Sequence, residues 1–202
     1  RGGGAEVIAL SWAPASDEPV LRQALAAGAT RLQRIEAPMG DDADPLVAAK
    51  VLSGALRDQK PDLVLFGEAS ADLGRAAVGP MVAELLGLPF LASAQSLRIE
   101  NGRIAGELWV DDRLIGVAAP FPAAVSIAAE AATPAKPSPL AMMKAFRSPV
   151  EVLQAEASGA ALLVRGYSSN DARRRGNEVL EAPTVTGALD LLAVRLRERR
   201  VI

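Results

Sequence analysis

VLFGEASADLGRAAVGPMVAELLGLP, residues Val64 to Pro89, is the stretch whose reading decides the fold. Its start belongs to the apolar run Asp62 to Gly67 (DLVLFG), the pattern of a parallel strand covered on both faces. A Gly-containing loop follows, then an apolar helix around Ala76 to Leu86 that stops at Gly87-Leu88-Pro89. A strand feeding a helix in this way gathers unpaired backbone N–H groups at the positive end of a helix dipole, which favours a phosphate or another anion. The same shape is also an ordinary connection in an α/β domain, and shape alone does not separate the two readings.

Upstream, Ala5 to Trp12 reads as a short buried strand, and Ser16 and Asp17 as caps of a helix with Pro19 in its first turn. That helix stops at Gly28; Thr30 to Glu36 is a second strand; Asp44-Pro45 opens a helix from Leu46 to about Arg57. The order β-α-β-α-β-α predicts a parallel sheet with right-handed crossovers.

Downstream the pattern becomes antiparallel. Ser96 to Glu100 and Arg103 to Val110 flank Asn101-Gly102, a pair suited to positive φ, and Asp111-Asp112 turns into Arg113 to Ala118. Ala123 to Ala128 returns to a buried strand. Glu130 to Pro139 is a Pro-rich loop, Leu140 to Phe146 one or two helical turns, and Pro149 to Leu153 a last strand. After a linker at Ala155 to Ala160, the tail carries Arg173-Arg174-Arg175 and an amphipathic helix from Gly187 to Arg200. Thr184 or Thr186 caps that helix, and Leu189, Leu192, Val194 and Leu196 form its apolar side. The fold class is therefore α/β, a Rossmann-like layered fold with a mostly parallel sheet, an antiparallel hairpin insertion and a C-terminal helical tail. Residues 1–153 read as a nucleotide-binding-type domain and 154–202 as a tail that docks on a partner subunit.

Composition narrows the chemistry. Hydrophobic residues are 50% of the 202 and aromatic residues only 3%, so Ala, Val, Leu and Ile build the core. With Cys 0 and His 0 there is no thiolate nucleophile, no Ser-His-Asp triad and no Cys/His metal site. A net charge of -2 argues against nucleic acid as a partner. The run Leu114 to Ala129, broken by Gly116, Pro120 and Pro122, is too short to insert in a bilayer. These features fit a binder or carrier better than a hydrolase.

Four segments in order resemble the beta subunit of electron transfer flavoproteins: ALAAGATRL (Ala24 to Leu32), DPLVAAKVLSGALRDQKPDLVLFGEASAD (Asp44 to Asp72), VGPMVAELLGLPFLAS (Val78 to Ser93) followed by the hairpin and PFPAAVSI (Pro120 to Ile127), and MMKAFRSPVEV (Met142 to Val152). The resemblance implies a bacterial-type cytoplasmic electron carrier without an active site of its own. It would pair with an alpha subunit that holds most contacts to a redox-active FAD. The beta subunit would close over that FAD, hold an AMP or, as in bifurcating members, a second FAD, and dock a dehydrogenase.

The family loop resembles A-I-D-G-D-S-N-Q-V-G-P, and it falls here on Ser70, Ala71, Asp72, Leu73, Gly74, Arg75, Ala76, Ala77, Val78, Gly79 and Pro80. Asp72, Val78, Gly79 and Pro80 keep the pattern. The second acid is Gly74, and the polar Asn-Gln pair is Ala76-Ala77. The resemblance thus implies a cofactor site at Gly67, Ser70, Asp72, Gly74, Arg75, Ala76, Ala77, Val78 and Gly79. Backbone amides from Gly74 to Val78, with Arg75, would replace the lost side chains. The family docking loop resembles N-E-P-R-Y-x-x-L-P-N-I-M-K-A. Here Pro137, Pro139, Leu140 and Met143 stand in that region, with the Leu one position later. Leu140 either anchors a partner or caps the short helix onto the core. The family also opens with a strand ahead of Ala5 to Trp12, so the parallel sheet is expected to lack a central strand. Two other readings stay open: a non-redox adenine-nucleotide-binding module, or a scaffold subunit that has lost its nucleotide.

Overall fold

Alternation of strand and crossover helix builds the first half of the chain. In the computed structural model, residues 4–37, 44–71, 73–133, 136–156 and 178–201 are described. Strand β1 (Ile8–Trp12) leads through α1 (Glu18–Ala27) to β2 (Arg31–Glu36), and β2 through α2 (Pro45–Gln59) to β3 (Leu63–Gly67). Helix α3 (Val78–Leu86) follows. The Asp44 carboxylate accepts from Leu46 N at 2.9 Å, and Pro45 occupies the first helical position of α2, as its fixed φ favours. At α1 the expected cap is not made: Asp17 accepts no backbone N–H of the helix, and Ser16 Oγ instead donates to Asp17 at 3.1 Å.

The second half is β4 (Phe90–Glu100), β5 (Arg103–Val110), β6 (Arg113–Pro120) and β7 (Ala123–Ile127), then α4 (Pro139–Arg147) and β8 (Glu151–Gln154). Both hairpin turns use positive φ, at Asn101 (51°), Gly102 (71°), Asp111 (46°) and Asp112 (62°). That matches the right-handed twist of the flanking strands. A bulge between Ala94 and Ser96 lets Gly106 cross close to the β4 backbone.

The strands form two sheets. One is parallel, in order β1-β2-β8; the other runs β3-β7-β4-β5-β6, parallel from β3 to β4 and antiparallel beyond. The expected single parallel sheet is thus divided between β1 and β3. This corrects the reading of Asp62 to Gly67 as covered on both faces: β3 is an edge strand, and Leu65 is 57% exposed. The apolar run records a strand that packs well, but not where it stands in the sheet. One apolar cluster, with Ala49, Leu56, Val64, Val82 and Ala124, lies where α2 and α3 cover the sheet. A second, with Leu91, Ile104, Ala123 and Val125, lies on the other face.

The buried guanidinium of Arg34 ties β2 to its surroundings, donating to Glu18 at 3.2 Å and to the carbonyl of Ala13 at 3.3 Å. Across the other strand pair, Gln33 and Arg31 both donate to Glu151, and Gln154 donates to Glu36. These hydrogen bonds hold the carboxyls of Glu151 and Glu36 below the usual glutamate range.

Contacts divide the chain into residues 1–165 and 166–202. In the second unit, Thr184 caps α5 (Val185–Glu198), its hydroxyl accepting from Gly187 N at 3.1 Å. Glu178 accepts from Arg195 and Arg199. Within this unit α5 buries none of its side chains, and Leu189, Leu192 and Val194 are exposed. Arg173, Arg174 and Arg175 and the linker from Ala157 lie outside the described residues.

Candidate functional site

The turn from β3 into α3 surrounds a cavity of about 420 Å³. It lies at the carboxyl end of β3, the end where ligands of open α/β sheets bind. Of the residues expected there, Gly67, Ser70, Arg75, Ala76, Ala77, Val78 and Gly79 line it. Gly74 is not among the lining residues; it adopts φ 59°, with its N–H donating to the carbonyl of Ser70 at 3.1 Å. That amide is therefore spent inside the loop and does not join the cradle. Asp72 lies outside the described residues.

Val78 and Gly79, at the start of α3, line the cavity. No side chain caps this helix, so the N–H groups of Val78 and Gly79 have no partner within its first turn. Pro80 supplies none. Ala76, at φ 50°, bends the chain so that Ala77 leads into the helix. Gly79 is buried, and a Cβ there would sit 3.3 Å from Phe66 Cγ and 3.3 Å from Phe90 Cζ. The missing side chain lets α3 approach both rings closely.

Sequence reasoning missed part of the lining. Pro45 and Ala48, three residues apart in the first turn of α2, form one side, and Phe66, Glu68, Ala69 and Leu73 complete the wall. The position of Phe66 and Glu68 at the strand's carboxyl end was the available signal; nothing local marked the α2 pair. Glu68 accepts from Ser93 Oγ at 2.7 Å, which links the wall to β4. Among the described residues, the site thus offers apolar walls, a helix N-terminus, the guanidinium of Arg75 and the carboxylate of Glu68. That donor set suits the phosphate and base of a mononucleotide, and the volume is within the usual range for small ligands. Ala76 and Ala77 bring no side-chain donor.

The second candidate surface is α4. Ser138 Oγ accepts from Ala141 N at 3.2 Å, and Pro139 opens the helix. Arg22 of α1 donates to the carbonyls of Ala145 (2.9 Å) and Ser148 (2.5 Å), satisfying the carboxyl end of α4 and fixing it on α1. Ala145 is the buried residue of the helix; Leu140 (73%), Met143 and Phe146 are exposed. Leu140 does not cap the helix onto the core. Pro137 is exposed beside it, and residues 134 and 135 lie outside the described residues. Among the described residues no cluster of acidic side chains could hold a metal ion, and no helix is long and apolar enough to cross a membrane.

The family model of the electron transfer flavoprotein domain matches residues 1–158. An electron transfer flavoprotein subunit beta of Syntrophomonas wolfei is 27% identical over 185 residues, covering 92% of this chain and 73% of the relative. The subunit beta of Sus scrofa is 32% identical over 152 residues, 74% of this chain and 60% of its own length. The caffeyl-CoA reductase-Etf complex subunit CarD of Acetobacterium woodii is 23% identical over 209 residues, 98% of this chain and 80% of its own. The chain therefore spans 60% to 80% of the length of these relatives.

Proposed function

The chain belongs to the electron transfer flavoprotein domain family, and from that premise we propose that it serves as the beta-type subunit of a heterodimeric electron transfer flavoprotein in the cytoplasm. The match over residues 1–158, to relatives named as this subunit, is the observation that carries the reading. In it, an alpha subunit holds most contacts to FAD, and this chain closes over the cofactor. Bound FAD supplies the electron storage; this chain excludes water and positions the pair for a dehydrogenase.

The cavity behind Phe66 and Leu73 takes an adenine nucleotide, AMP being the size that suits it. The amides of Val78 and Gly79 and the guanidinium of Arg75 meet its phosphate. Glu68, already accepting from Ser93, faces the ribose side as an acceptor. The exposed row Leu140, Met143 and Phe146 on α4, with Pro137 and Pro139 shaping its approach, docks the dehydrogenase.

Calorimetry with AMP and ATP on the purified chain tests the nucleotide part. AMP binding that is weakened by Arg75→Ala is the expected result. Tight ATP binding in the absence of a flavoprotein partner would favour the nucleotide-sensor reading. A second reading rests on a specific observation: Ala76 and Ala77 bring no donors and Gly74 N–H is occupied. These features suit a scaffold subunit that has shed its nucleotide, and no binding of either nucleotide would favour it.

A further inference from the structure

A second cavity, of about 750 Å³, opens between α2 and the β1-β2-β8 sheet. Strand alternation puts Arg31 and Gln33 of β2 on one face, and Ile8 and Glu151 are their partners in the neighbouring ladders. All four line the cavity, and α2 covers them from Lys50 to Gln59. The cavity lies toward the amino ends of β1 and β2, whereas the Phe66–Gly79 cavity lies at the carboxyl end of β3.

Three features favour a cation there. Four carboxylates (Glu6, Asp58, Glu151 and Glu156) line it with two basic groups (Arg31 and Lys50), an excess of two negative charges. Arg31 is already engaged, with Glu6 at 3.1 Å and with Glu151 at 2.5 Å. The lining also includes the last turn of α2, the end of the helix dipole that attracts positive charge. The third feature is Gln33, which is 3% exposed. Its Nε2 donates to Glu151 Oε2 at 3.0 Å, and among the described residues its Oε1 has no hydrogen-bond partner. Exchanging the two ends of the carboxamide gains nothing, because its oxygen would then meet the Glu151 carboxylate. A buried acceptor without a donor is costly, and an N–H brought by a ligand relieves it.

The surface between the charges is apolar, at Ile8, Val51, Ala55 and Leu153. Among the described residues no cluster of acidic side chains could hold a metal ion. The fitting cation is therefore an extended organic one with an apolar middle. We propose that this cavity binds a linear aliphatic diamine or polyamine. Its alkyl chain lies along Ile8, Val51 and Leu153. One ammonium group donates to Glu151 and, as the Gln33 carboxamide turns toward it, to Gln33 Oε1. A second meets the exposed carboxylates of Asp58 and Glu156, which balances the excess charge. The site is independent of the nucleotide reading: AMP binding can fail while the polyamine site stands.

Calorimetry with spermidine on the full chain tests the assignment, with butanediol as an uncharged counterpart. One saturable site is expected, weakened as sodium chloride is raised, with no binding of the diol. Gln33→Leu removes the acceptor and is expected to lower the affinity about tenfold or more. Gly54 lines the same cavity, and a Cβ there would meet nothing within 4 Å. Gly54→Leu is therefore expected to obstruct spermidine while the melting point holds or rises, since glycine is the poorer helix former. That variant keeps the test decisive should Gln33→Leu fold poorly. Spermidine is also expected to slow amide exchange from Gly54 to Gln59. Absence of saturable binding, equal binding of butanediol, an affinity unchanged in either folded variant, or slowing confined to the Phe66–Gly79 loop would each overturn the proposal.

Discussion

Replacing Gly79 by valine tests how closely α3 must lie on the sheet. The first added atom meets Phe66 Cγ at 3.3 Å, Phe90 Cζ at 3.3 Å and Phe66 Cδ2 at 3.4 Å, and valine adds two methyls beyond it. Both rings pack into the cluster beneath α2 and α3, so neither retreats without moving others. Overpacking of this kind costs about 1–3 kcal/mol. Better helix propensity returns only about 0.3–0.5 kcal/mol. The net loss of about 0.5–2.5 kcal/mol corresponds to a melting point lower by roughly 1–10 °C for a chain of this size. Because Phe66 and Gly79 both line the cavity, its volume and its affinity for AMP fall as well. Urea unfolding followed by circular dichroism measures the first effect, with Gly79→Ala as a control in which one methyl and the propensity gain nearly cancel. A valine variant with a midpoint at or above that of the parent would refute the close-approach argument.

Other outcomes follow from the same geometry. Arg75→Ala should weaken AMP binding about tenfold or more, the worth of one charge-assisted hydrogen bond, with little change in urea midpoint; unchanged calorimetric affinity would remove Arg75 from the site. Leu140→Asp should leave stability within about 0.5 kcal/mol, since the side chain is exposed. It should weaken dehydrogenase docking by roughly ten- to a hundredfold, from about 1.5–3 kcal/mol of lost burial, and surface plasmon resonance with equal affinity for both forms would count against α4. Acid should loosen the β2–β8 edge. The folded carboxyls of Glu36 and Glu151 titrate below their ordinary value of 4.5, so the stability they add is complete above that value and is lost as pH falls beneath it. Protection of the Val152 and Leu153 amides, relative to their intrinsic exchange rates, should therefore fall below about pH 4.5, and less so in Glu151→Gln; protection that does not change with pH would contradict this.

Positions that depend on local backbone chemistry were legible in the sequence. Asn101-Gly102 announced its turn because few other pairs accept positive φ at both residues, and Asp44-Pro45 announced α2 through a side-chain acceptor and a fixed φ. Positions set by long-range arrangement were not. The apolar run at β3 carries no mark of being an edge, because periodicity reports faces and not neighbours. The use of Gly74 N–H by Ser70 depends on a loop conformation that residue types do not encode. Asp17 had the right chemistry to cap α1, but the turn of 3-10 helix at Ala15–Asp17 places its backbone in the helical region, so its side chain does not reach the first amides.

Isolation of the chain in its native complex, followed by denaturation and mass spectrometry of both the released small molecules and the co-purifying polypeptide, tests the central claim most directly. The account predicts an equimolar electron transfer flavoprotein alpha subunit together with FAD. A colourless preparation that carries no flavin and no such partner would contradict it.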